Sequence, residues 1–331
     1  MTFVDRVLTS AADNGFDVCV LTFDAEVVKN DIIEVEGVPE LFSRILRSQA
    51  DYIYMYNSYW PNWVLPLLGV LSGKDIIYAP HCSGFHKLQG VAKNIVKRSS
   101  FLLFSDRVTL RCLSKYEKDI YTEFLPESNV FYCPYAIDEK HFSNLKPKID
   151  SKQLFSLANA RKFKDVETQI RALYIVEKEY PEAQLNIIGG WSSEEYRDRI
   201  TMLIEDLNLE ENVEIHGFVP REKMFELMSN CEAFIHASKF ETQGLAIYEA
   251  AAAGFPICVS DVPVHNQNFE RFKHPQGDHE ALADDIKTIF GMDEEEKQEI
   301  SEEMRELAKD FSYEKEMERL REFFKELDSN C

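Results

Sequence analysis

Short apolar runs alternate with longer stretches whose apolar positions recur at helical spacing, and the alternation continues along most of the chain. FDVCVLTF, ADYIYMYN, KDIIYAP and NVFYCP are nearly continuous in β-branched and aromatic residues, as strands buried on both faces are. Between them, VPELFSRILRSQ, NWVLPLLGVLSG, KLQGVAKNIVKRSSFLLF and KYEKDIYTEFL carry the helical period. A polar, proline-bearing stretch, PYAIDEKHFSNLKPKID, then breaks the pattern. The alternation restarts with KQLFSLAN, AQLNIIGG, NVEIHGF, AFIHAS and FPICVS as strands. DVETQIRALYIVEKEY, SSEEYRDRITMLIEDLNL, REKMFELMSN, LAIYEAAAAG and HEALADDIKTIF fit helices between and after them. Such alternation predicts α/β architecture with doubly wound parallel sheets, here two in tandem. The pattern places a first domain at 1–140, a linker at 141–150, a second domain at 151–311 and a closing amphipathic helix at 312–331.

Composition narrows the function classes. A length of 331 residues accommodates two cores, and the net charge of −21 leaves no overall basic face with which to neutralise phosphates of a nucleic acid. The seven cysteines are scattered without a CxxC pair, which points to reduced thiols and a cytoplasmic setting rather than disulfides or zinc. No apolar run reaches the roughly 18 residues of a membrane span, and the N-terminus has no signal-peptide pattern.

The candidate chemistry lies in KFETQGLAIYEAAAAGFP, from Lys239 to Pro256. It is a polar, Gly-bearing turn after a strand, leading into an Ala-rich helix that carries a carboxylate, Glu249, among apolar neighbours. A helix N-terminus behind such a turn offers backbone N–H groups and a positive dipole end to a diphosphate, and Gly244 lets the backbone come close. A carboxylate one to two turns into the helix can accept hydrogen bonds from the hydroxyls of a ribose, while Glu241 sits in the turn.

The block from Gly217 to Pro263, with its Glu-x7-Glu pair Glu241 and Glu249, resembles the nucleotide-sugar site of glycosyltransferase family 4, retaining enzymes of the GT-B fold. The resemblance implies two Rossmann-like domains facing a cleft, with the C-terminal helix crossing back to the first. It places Glu241 at the donor sugar near the reacting centre and Glu249 on the ribose. Gly244 and Leu245 begin the helix that cradles the diphosphate. FSLANARKFKDVETQIRAL resembles the segment where an Arg and a Lys grip the diphosphate, matching Arg161 and Lys164, with Lys162 a competitor. Gly217, Phe218 and Val219 match the loop whose backbone meets the base. APHCSGFH matches the His-bearing loop of the first domain and gives His81 a catalytic place at the donor sugar, ahead of His86. The resemblance implies no metal and no cofactor beyond the donor substrate, with a glycan or lipid-linked acceptor.

Two departures accompany the resemblance. Pro134-Tyr135-Ala136-Ile137-Asp138 stands where the family has an Asn-Gly turn. The family's first strand and Gly-rich loop belong ahead of TFVDRVLTSAADNGFDVCVLTF, so the first domain is expected to be N-terminally shortened or its sheet rebuilt. Two other readings are a non-catalytic subunit of the same fold and a sugar-nucleotide epimerase. Separately, Phe85 to Lys118 holds eight cations against Asp106 and Glu117. Its helix 88–104 fits either an ordinary surface helix or peripheral contact with an anionic membrane, with Lys93, Lys97 and Arg98 foremost.

Overall fold

The computed structural model describes residues 3–15, 18–22, 32–34, 38–50, 52–57, 73, 75–80, 107–122, 126–157 and 160–329. Its contacts divide the chain into one unit of Met1–Ala136 with Glu314–Cys331 and a second of Ile137–Tyr313. His81, His86 and the basic helix 88–104 lie outside the described residues.

In chain order the strands are β1 (Val18–Thr22), β2 (Ile32–Glu34), β3 (Tyr52–Asn57), β4 (Asp75–Pro80), β5 (Val108–Cys112) and β6 (Val130–Tyr132) in the first unit. The second unit holds β7 (Gln153–Leu157), β8 (Gln184–Ile188), β9 (Val213–Gly217), β10 (Ala233–His236), β11 (Ile257–Ser260) and β12 (Lys273–His274). The helices are α1 (Phe3–Asp13), α2 (Val38–Arg47), α3 (Lys115–Thr122), α4 (Glu139–Phe142), α5 (Val166–Val176) and α6 (Glu194–Asp206). They continue with α7 (Arg221–Met228), α8 (Leu245–Ala252), α9 (His279–Gly291), α10 (Glu294–Lys309) and α11 (Tyr313–Ser329).

Among the described residues each unit holds one six-stranded parallel sheet. The strand order in the second is β12-β11-β10-β7-β8-β9, so the chain leaves β7 in one direction and returns at β10 on its other side. The first sheet runs β2-β1-β3-β4-β5-β6. There β1 pairs directly with β3, from Val18↔Tyr52 to Leu21↔Met55. No described strand stands between them where the family's first strand would go.

The alternation of residues within each strand of the second sheet feeds two cores. Leu154, Ile235 and Cys258 pack with Ile170 and Leu173 of α5 and Leu282 and Ile286 of α9. Phe155, Phe234, Ile257 and Val259 pack on the opposite face with Met228 of α7 and Ile247, Tyr248 and the alanines of α8. The small alanines let α8 lie close between the sheet and α10. Arg305 of α10 then donates to Ala252 O and Ala253 O, the open carbonyls at the end of α8, at 3.0 and 2.6 Å. Gly254 has φ +79°, and a Cβ there would lie 2.3 Å from Ser301 Oγ, so only glycine ends the helix this way. The acidic run at 293–296 starts α10, and Asp293 and Glu296 form a reciprocal capping box.

Residues 141–150, set apart by their composition, belong to the second unit. Phe142 is buried in its core, and Lys148 N donates to Cys231 O at 2.8 Å. None of Pro134 to Asp138 takes a positive φ, which explains why that segment runs without an Asn-Gly pair.

Candidate functional site

Ligand crevices in open parallel sheets form beyond the carboxyl ends of the strands, where the order reverses. In the second unit that point lies between β7 and β10, and the loops after those two strands carry Arg161 to Lys164 and Ser238 to Gly244. They are tied together by a backbone hydrogen bond and by ion pairs. Lys239 N donates to Phe163 O at 2.7 Å, and Lys239 Nζ pairs with Asp165 Oδ2 at 3.0 Å. Asp165 takes φ +48° between the short turn Lys162–Lys164 and α5, and it also accepts from Thr168 Oγ1 at 2.8 Å.

Glu241 is buried in this crest. Its Oε1 accepts from three donors: Ser238 Oγ at 2.8 Å, His236 Nε2 at 2.6 Å, and Lys164 Nζ. Burial alone would raise its pKa. The hydrogen bond from His236 and the Lys164 ammonium outweigh burial and hold the carboxyl well below the usual carboxylate range. His236, wholly buried, is pushed below the ordinary imidazole value by desolvation, against the pull of the Glu241 carboxylate. Behind it, His265 Nδ1 donates to Ser260 O at 2.9 Å, and Ser260 Oγ donates to Ser238 O.

Glu249 presents the opposite case. It lies partly buried on α8, where desolvation pushes its pKa up to about 7, with Arg221 acting against the rise and Asp138 with it. Arg221 is itself paired with Asp138 at 2.9 Å. No donor among the described residues reaches the Glu249 carboxyl. Gly244 takes φ +79° at the start of α8, and no side chain caps that helix. A Cβ there would come within 2.9 Å of Ile247 Cδ1. Leu245 is 39% exposed at the same point.

The structure thus brings Lys164 and Glu241 together as an ion pair, while Arg161 and Lys162 beside them make no ion pair among the described residues. Gly217 ends β9 and accepts from Gly189 N at 2.8 Å. Phe218, next to it, is 88% exposed, and Val219 packs against the core under α8. Sequence reasoning missed His236, Ser238, Ser260 and His265. The one available signal was a histidine in the otherwise apolar strand AFIH. No group of three or more His, Cys, Asp or Glu among the described residues could hold a metal ion. No described helix is long and apolar enough to cross a membrane.

The family model for glycosyl transferases group 1 matches residues 137–326. The chain is 27% identical over 210 residues to the GtfA subunit of a UDP-N-acetylglucosamine–peptide N-acetylglucosaminyltransferase from Streptococcus parasanguinis, covering 58% of this chain and 40% of that protein. It is 21% identical over 273 residues to mannosylfructose-phosphate synthase of Agrobacterium fabrum, covering 72% of this chain and 59% of that one. The chain therefore spans about half the length of these curated relatives. Among solved structures, a glycosyltransferase from Rickettsia africae superposes with a TM-score of 0.78 at 16% identity, covering 99% of this chain and 95% of its own. Anabaena HepE in complex with UDP superposes at 0.77 and 15% identity, covering 100% and 97%. These likenesses establish the fold, two Rossmann-like parallel-sheet domains of the GT-B type.

Proposed function

The chain belongs to the glycosyl transferases of group 1, and from that premise we propose that it moves a sugar from a nucleoside diphosphate donor to an acceptor hydroxyl, with retention, as in glycosyltransferase family 4. The bond from the anomeric carbon to the diphosphate oxygen breaks, and its electron pair leaves with the diphosphate. The acceptor oxygen bonds to the same face of the sugar and passes its proton to the departing phosphate oxygen. Arg161 and Lys164 supply positive charge to the diphosphate, and the uncapped start of α8 at Gly244 and Leu245 supplies backbone N–H groups. Glu249 accepts from the ribose hydroxyls, and Glu241 meets the sugar. The backbone of Gly217 to Val219 meets the base. UDP is the nucleotide of first choice because HepE, which shares the fold, was solved with UDP and with UDP-glucose.

The observation that carries this reading is the state of Glu249. A carboxyl desolvated on an apolar helix without a protein donor is costly unless a ligand supplies hydrogen bonds. A thermal-shift series with UDP, GDP and ADP sugars tests it. At a hundred times its dissociation constant the right donor adds about 2.7 kcal/mol to stability. If no sugar nucleotide moves the melting temperature at millimolar concentration, the donor-site assignment is wrong.

A further inference from the structure

We infer that His236 is the positioning residue of Glu241: together with Ser238 and Lys164 it fixes Oε1, so that Oε2 is the oxygen presented to the donor sugar. This rests on the transferase reading given above. All three donors converge on one oxygen, at 2.6 Å from His236 Nε2, at 2.8 Å from Ser238 Oγ, and from Lys164 Nζ. No donor among the described residues meets Oε2. A rigid carboxylate with one oxygen committed and the other open is what a group must be if it is to hold one geometry as charge develops on a sugar.

The imidazole faces this turn, and its Nε2 also lies 2.9 Å from Ser238 Oγ. His236 closes β10 and is 1% exposed, stacked along Phe234 with ring centroids 5.8 Å apart. Its Nδ1 is buried without a hydrogen-bond partner among the described residues, so the ring is held in the turn through Nε2. A neighbouring ring, His265, crosses it at 6.1 Å and also leaves one nitrogen, Nε2, buried without a partner among the described residues. His236 contributes a directed hydrogen bond, and Lys164 contributes an ammonium on the same oxygen. The groups facing His236 are Glu241, Lys164 and Ser238 at the crest, with His265 across and His274 at longer range. The Ser260 hydroxyl bonded to Ser238 O ties the end of β11 to the same turn, so the carboxylate is referenced to two strands.

The test compares H236L, which removes the donor, with H236Q, whose amide N–H can reach Oε1, and with S238A. Two readouts separate positioning from packing. The first is steady-state kinetics with a UDP sugar beside calorimetric binding of UDP. H236L should lower kcat roughly tenfold or more and change the UDP dissociation constant little, and H236Q should recover most of kcat. The second is the titration of Glu241 followed by 13C NMR in protein labelled at glutamate Cδ, assigned with E241Q. In the parent the Glu241 signal should stay ionised below the usual carboxylate range, and in H236L its midpoint should rise into that range. The NMR experiment needs no turnover, so a parent chain that binds no sugar nucleotide would refute the proposed function and the role given to Oε2, while an unchanged titration in a protein that does bind the donor would refute the positioning by His236 alone. Should H236L fail to fold, H236M, which also lacks the donor, carries the same comparison. An unchanged Glu241 titration in the folded variant that lacks the donor, or a kcat equal to the parent's in it, would overturn the assignment.

Discussion

In each unit a buried carboxylate sits in a cluster of polar partners, and two of them, Glu316 and Glu241, make the comparison. In the first, Glu316 of α11 is 1% exposed. Its Oε1 meets Arg111 Nη2 at 2.6 Å, and its Oε2 meets Arg6 Nε at 2.7 Å and the backbone N–H of Ala136 at 2.9 Å. Arg111, wholly buried, also donates to Cys133 O and Pro134 O and lies 4.7 Å over the Tyr135 ring. Both oxygens are spent on the protein, and the cluster ties α11 to β5 and to the segment after β6. In the second unit, Glu241 spends only Oε1, and its cation, Lys164, keeps 18% of its side chain exposed at the carboxyl edge of the sheet. Burial, charge and hydrogen bonding are common to both. A closed network makes a staple, and a network with an open oxygen and a wet cation makes a place for a ligand.

The sharpest way to break this comparison is to remove each carboxylate in turn. E316A leaves the buried Arg111 without the carboxylate it meets, and breaking such a pair costs about 3–5 kcal/mol, a large share of the stability of a domain. Urea unfolding should show that loss. E241Q should cost much less in the same assay, because Lys164 can turn to water, while slowing transfer about a hundredfold. Equal stability losses in the two variants would mean that Glu241 is a staple too.

Acid should discriminate next. His265 is pushed down to about 4 by burial, with the neighbouring His236 adding to the fall. An unfolded chain binds that proton near pH 6.5 and the folded one does not, so stability is complete above pH 6.5 and falls as pH drops toward 4. The span corresponds to about 3 kcal/mol. The depressed Glu241 adds a second loss below the unfolded carboxylate value. Unfolding measured across this range should show the slope, and H265N, which keeps a donor for Ser260 O but does not titrate, should flatten its upper part. An identical slope in H265N would place the acid sensitivity elsewhere.

How much of this was legible beforehand follows from the same physics. Strands buried on both faces announce themselves as apolar runs, so β7, β8, β10 and β11 were readable from sequence. The three residues of β2 and the two of β12 are too short to form a pattern. Glu241 and Glu249 were readable because a carboxylate beside an alanine helix and a Gly turn is out of place. His236 was not, since one histidine in a strand does not reveal which side chain it will meet. Its partners Glu241 and Ser238 sit in the following turn, and His265 lies in a loop after another strand, contacts that only the folded crest creates. Lys164 was read as a diphosphate cation, and its pairing with Glu241 in the structure was likewise invisible in the spacing.

Glu249 completes the series and gives the smallest of the expected effects. Glu316 has both oxygens filled, Glu241 has one, and Glu249 meets no described donor at all. Its carboxyl, pushed up to about 7 by burial, is half protonated near neutrality. Ribose hydroxyls donate to the ionised form, so binding should draw a proton off, and affinity should weaken as pH falls below 7, approaching tenfold per unit. Calorimetry with a UDP sugar at pH 6, 7 and 8 reads this directly, since the diester-like diphosphate of the donor does not titrate there. E249A removes a charge-assisted bond worth roughly 1.5–3 kcal/mol, so affinity should fall about tenfold or more, and the pH dependence should vanish with it. Because the proposed ribose contact would be the same before and during transfer, the loss should appear in KM with kcat spared. A variant that binds as tightly as the parent would leave the empty carboxyl without a ligand.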